Sequence, residues 1–161
     1  MKRPTKRRQF IAVLPTLGLA PCLGPLLGIG AGWLLTGCSG EPSSGPAQVK
    51  WDRDTDARCG MIISDKRFAA QIRDPDGKPW KFDDIGCAMF WLAQSPFNEE
   101  TANTEFWVAD YRTGGWIDAR RAHYLPGSKS PMGYHFAALA VPETGTVSYQ
   151  EMKQTVLARG K

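Results

Sequence analysis

The chain has 161 residues, with 20 lysines and arginines against 16 aspartates and glutamates, for a net charge of +4. Five of the basic residues and none of the acidic ones fall within residues 1–37, so residues 38–161 carry fifteen basic against sixteen acidic side chains, a net charge of −1. A near-neutral body lacks the basic surface on which nucleic-acid binding depends, and no nucleic-acid partner is expected.

Lys2, Arg3, Lys6, Arg7 and Arg8 form a basic start ahead of an apolar run over residues 10–35, which Pro15, Pro21 and Pro25 interrupt. So many breakers suit an export signal better than a stable membrane-spanning helix. Arg7-Arg8-Gln9-Phe10-Ile11 is similar to a twin-arginine export motif. Leu35-Thr36-Gly37-Cys38 resembles a bacterial lipobox, placed where the apolar run ends and a Ser/Gly/Pro-rich stretch begins. The expected organisation is a signal peptide over 1–37, a flexible tether over 38–50 lipidated at Cys38, and a folded domain over 51–161. Such a protein faces the periplasm from the cell envelope. Ser39, in place of the Asp that retains many enteric lipoproteins at the inner membrane, points to the outer one. Export removes Cys22 and lipid occupies Cys38, leaving Cys59 and Cys87 in an oxidising compartment. A disulfide between them is one expectation.

Trp51 opens the folded part, and the three carboxylates of residues 52–56 read as a solvated loop without the spacing of a calcium loop. Next comes Arg58-Cys59-Gly60-Met61, a thiol and a thioether two positions apart. In an extended segment residues i and i+2 point to one side. Thiolate plus thioether selects monovalent copper over harder divalent ions, whereas a buried Cys and Met in a core is the plainer reading. Two sulfurs alone do not complete a site.

Residues 61–63 and 68–72 are strand-like, and Asp74-Pro75-Asp76-Gly77 is a hairpin turn returning into Trp80-Lys81-Phe82. Asp83 or Asp84 caps a helix with Ile85, Ala88, Met89 and Leu92 at helical spacing, which stops near Ser95-Pro96. Phe106-Trp107-Val108 is the next strand, followed by a turn over 111–115. Residues 60–112 thus read strand, strand, helix, strand. Residues 116–118, 122–125 and 134–141 are further strands, and 147–159 a helix, a shortened echo of the first half. The fold class expected is α+β.

Catalytic machinery is sparse. There are two histidines, His123 and His135, with no phosphate loop, no nucleophile elbow and no Cys-x-x-Cys. Adjacent Asp83 and Asp84 read as helix caps, so no catalytic residue and no enzymatic activity are expected. Met132, between Pro131 and Gly133, lies off any helical periodicity, placed either to present its sulfur or to cap the core. His135 adds a nitrogen donor if its segment is extended. His123 reads as a surface residue, Met89 and Met152 as core. Cys87 reads first as a small half-buried packing residue, next as the disulfide partner of Cys59, and third as a further sulfur donor. The five tryptophans from Trp51 to Trp116 are too dispersed for one stacking platform.

Cys59-Gly60-Met61, Asp76-Gly77, Phe82-Asp83-Asp84-Ile85-Gly86-Cys87, Trp116-Ile117-Asp118-Ala119 and Pro131-Met132-Gly133, in this order, resemble the NosL family of lipid-anchored accessory proteins of nitrous oxide reductase. The resemblance covers the chain from about residue 57 onward. It implies two ββαβ-type units, the second here shortened, and a Cu(I) chaperone with Cys59, Met61 and Met132 as copper ligands. It further implies delivery to apo nitrous oxide reductase or another exported copper enzyme, with an ABC-type membrane assembly complex as partner.

Overall fold

The computed structural model describes residues 42–160. The export signal, the lipobox and Cys38 lie outside them. Among the described residues no helix is long and apolar enough to cross a membrane.

Strands β1 (Ala70–Arg73) and β2 (Pro79–Phe82) form the expected hairpin. Asp74 closes it by accepting the amides of Asp76 and Lys78, and Gly77 supplies the left-handed residue at φ +84. Helix α1 (Ile85–Ala93) follows, capped by Asp84, and β3 (Glu105–Ala109) returns antiparallel beside β1. This is the anticipated ββαβ unit. β4 (Trp116–Asp118) pairs with β3, so the first sheet runs β2-β1-β3-β4, all antiparallel. Residues 116–118, expected to open the second half, thus belong to the first.

β5 (His123–Pro126) and β6 (Phe136–Leu139) form a second, two-stranded sheet, followed by α2 (Tyr149–Ala158). α2 begins with a full capping box, Ser148 with Glu151. The second unit is therefore ββα without a closing strand, in line with its shortened sequence. Asp110 joins the units: its carboxylate accepts the amides of Arg112 and Thr113 on one oxygen and that of Ala140 on the other. Both units share one core, in which Ile72, Phe82, Met89, Phe106, Tyr124 and Met152 are all 0–2% exposed. Burying each such side chain contributes about 2 kcal/mol.

Residues 61–63 do not form a strand. Ile62 makes a single bridge to Thr55, and Met61 and Ile62 are about half exposed, at 52% and 54%. The tether also ends earlier than its composition suggests. Residues 45–50 cross the sheet face opposite α1, where the Gln71 side chain bonds both the amide and the carbonyl of Ala47. Gly45 donates to Glu105, its carbonyl takes Arg73, and Lys81 reaches the carbonyl of Gln48. Ala47 and Val49 are buried. Polar residues on this sheet face satisfy the strap's backbone, which composition alone does not reveal.

Candidate metal centre

The site is built on Asp56, a residue that sequence reasoning left in a solvated loop. It is 2% exposed. One carboxylate oxygen accepts the amides of Arg58 (2.8 Å) and Cys59 (2.9 Å), a turn driven by side-chain-to-backbone bonding. The other accepts the amide of Asp83 at 2.9 Å, tying this turn to the head of α1. The Asp56 amide donates to the Met61 carbonyl and the Gly60 amide to the Asp56 carbonyl, with Gly60 at φ +75. The segment is a closed loop and not extended, so strand alternation does not set the direction of its two sulfurs. The legible signal was Asp three residues before the Cys, an Asx-turn pattern.

Cys59 is half-buried and packs against the main core, while Met61 is exposed on the same loop. Cys87, in the first turn of α1, is fully buried rather than half-buried. Ligand atoms of Asp56, Cys59 and Cys87 all lie within 4.8 Å of one another, and both thiols are free. The fold therefore joins the two cysteines, which the sequence placed 28 positions apart. Burial pushes both thiols above their ordinary pKa, with Asp56 adding to the effect, and Cys87 far more strongly. Each enters a neutral solution protonated. The Asp56 oxygens are hard donors already engaged by three amides, so a soft cation here would meet sulfur while Asp56 holds the loop in shape.

Asp84 organises the other half. Its Oδ1 accepts the Gly86 amide as helix cap, and its Oδ2 accepts the Ser130 hydroxyl (2.6 Å) and the Met132 amide (3.1 Å). The residue that starts α1 thus also fixes the Met132 loop, three positions from Cys87. Met132 is half-buried against the same core as Cys59. His135 takes a left-handed φ of +63, held by its amide on the Ser130 hydroxyl. Its Nδ1 lies 3.2 Å from the Ser128 carbonyl, which can only accept, so Nδ1 carries the proton and Nε2 offers a lone pair. His135 is exposed, and its hydrogen bonds stay within its own loop. Between the halves the Tyr134 ring lies flat on Gly86, where a Cβ would come within 2.0 Å of it.

Met89 and Met152 are core residues as expected, and His123 is half-buried in β5. An open cleft of about 430 Å³ beside Trp107, Trp116 and Asp118 shares no residue with the sulfur cluster.

The NosL family profile matches residues 47–155, about two thirds of the chain. The chain belongs to the NosL family. The match spans Asp56, Cys59, Met61, Cys87, Met132 and His135, and it begins within the strap, not after it. A crystal structure described as the copper chaperone NosL from Shewanella denitrificans is similar, at 18% identity and a TM-score of 0.47, covering 73% of this chain and 88% of that one. No curated protein matches this NosL-family chain.

Proposed function

We propose that this NosL-family chain is a copper(I) chaperone without enzymatic activity of its own, carrying Cu(I) as cargo. The observation that carries the reading is the free pair of Cys59 and Cys87 in one cluster, with a second soft donor, Met61, exposed on the Cys59 loop. Thiolate and thioether together favour Cu(I) over the hard divalent ions. Cys59, Met61 and Met132 are the proposed ligands, with His135 Nε2 a further donor at the rim and Cys87 the inner sulfur. A half-buried thiolate beside an exposed thioether leaves room for a recipient's ligand to enter before the last donor leaves.

The proposed setting is the periplasmic side of the envelope, with Cys38 lipidated. The recipient is an exported copper enzyme, nitrous oxide reductase before all others, served through an ABC-type assembly complex. Anaerobic titration of the metal-free protein with Cu(I), against a competing chromogenic chelator, tests the carrier role. One tightly held Cu(I) that is lost in Cys59→Ser is expected. Tight binding indifferent to Cys59→Ser removes the mechanism.

The closeness of the two thiols supports one rival, a redox lipoprotein cycling a Cys59–Cys87 disulfide. Thiol counting on the protein as isolated separates them: two titratable thiols suit the carrier, none suits the rival. A metal-free docking module, by contrast, would keep full function in Cys59→Ser and Met61→Leu.

A further inference from the structure

Arg58 stands directly before Cys59, and its side chain leaves the Cys59 loop altogether. The guanidinium crosses the first turns of α1 and donates from Nη1 to the Tyr134 hydroxyl at 3.1 Å. On the way its central carbon lies 4.8 Å from the centre of the Phe90 ring. The Phe90 and Tyr134 rings are themselves in contact, tilted at 37° with centres 5.8 Å apart. Tyr134 is two residues after Met132, and its ring cannot shift toward α1 because it already rests on Gly86. A planar, always-charged fork suits this bridge, since it can stack on an aromatic face while donating in its own plane.

We propose that Arg58 is the positioning residue that clamps the Cys59–Met61 loop to the Met132 loop, making one site of two sulfur-bearing segments 73 residues apart. The inference rests on the copper-carrier reading for its purpose, though not for its geometry. Two other connections reach the head of α1 separately: Asp56 fastens the first loop to the Asp83 amide, and Asp84 fastens the second to its own cap. Arg58 with Tyr134 is a link that passes directly from one loop to the other. With the link intact Met132 stays in reach of a cation on Cys59; with it cut, each loop moves on its own anchor. Arg58 acts on the cargo through Met132 and is not itself a ligand.

Two changes cut the link gently. Tyr134→Phe removes the acceptor and keeps the ring on Gly86, and Arg58→Lys keeps the charge and loses the fork. Hydrogen exchange on the metal-free full chain should quicken together at residues 57–62 and 130–135 in either variant, by roughly tenfold, the size of one charge-assisted hydrogen bond partly exposed to water. Cu(I) release to a chromogenic chelator should quicken by about the same factor. In a Met132→Leu background the same changes should add nothing to release, an outcome that general loosening or lost charge would not give. Exchange that quickens in one segment only, or in neither, overturns the clamp. So does a release effect that persists undiminished in Met132→Leu. If the wild-type chain holds no Cu(I) while exchange still rises in both segments, the clamp stands and the copper reading falls.

Discussion

The number of thiolates on the cargo can be counted from the pH dependence of binding. Both cysteines are held protonated near neutral pH, so each one that ligates Cu(I) must first release a proton. Below both thiol pKa values, apparent affinity should therefore rise with pH by about tenfold per unit for one thiolate and about a hundredfold for two. Chelator competition between pH 6 and 8 reads this slope. We expect two, with Cys87→Ala reducing it to one; a slope of one in the wild type leaves Cys87 a spectator. Asp83 is the second titration to follow. Burial holds its carboxyl at about pKa 6, with Asp56 and Asp84 adding, and one of its oxygens has no hydrogen-bond partner among the described residues. The folded chain thus binds a proton that the unfolded chain, titrating near 4, has already lost. Its contribution is fully present below pH 4 and disappears as pH rises through 6. Asp83→Asn should be more stable than wild type at pH 7 by about 1–2 kcal/mol, with the gain shrinking toward pH 4. Urea unfolding at both pH values checks this, and a gain that does not change with pH refutes it.

At the scale of elements, α1 orders the site, and its start was the most legible part of the sequence. The Asp83-Asp84 pair before Ile85 announced a cap, and Asp84 is that cap. Its second duty toward Ser130 and Met132 was hidden, because nothing local in a capping residue tells of a loop 46 positions away. Gly86 shows the same limit. Inside a helix, Gly→Ala ordinarily stabilises by about 1 kcal/mol. Here the new methyl would meet the Tyr134 ring at 2.0 Å, so Gly86→Ala should destabilise by about 2–3 kcal/mol in thermal or urea unfolding. A neutral or stabilising result would mean that Tyr134 does not rest there. The strands β1, β2 and β3 were read from turn residues and apolar runs, all local signals. The strap over 45–50 was missed because its partners are side chains of the sheet and not its own sequence. Gln71→Ala should cost about 2 kcal/mol and accelerate exchange at the Ala47 amide, since it strips two bonds from buried backbone groups. Unchanged exchange there would show that the strap is held by its neighbours alone.

For the molecule as a whole, the α+β class and the incomplete second half were legible because element order is written in periodicity. The meeting of Cys59 with Cys87 was legible only as a disulfide to be weighed between two cysteines in an oxidising compartment; what brings them together, Asp56 folding its loop onto α1, was not. The strap has a further consequence for how far the cargo sits from a bilayer. If the chain hangs from an acyl group at Cys38, six residues, 39–44, lie between that anchor and the strap, and six residues cannot span more than about 20 Å. The strap enters at the Arg73, Pro79 and Glu105 end of the sheet, whereas the Asp56 loop docks past Phe82 at the other. So anchored, the domain would be held by the end of the sheet away from the sulfurs, and the sulfurs are expected to face away from the bilayer. A dye at Asp76→Cys should transfer energy to labelled lipid more efficiently than one at Cys59 in vesicle-anchored protein. Equal or reversed transfer would leave the site facing the membrane it was meant to look away from.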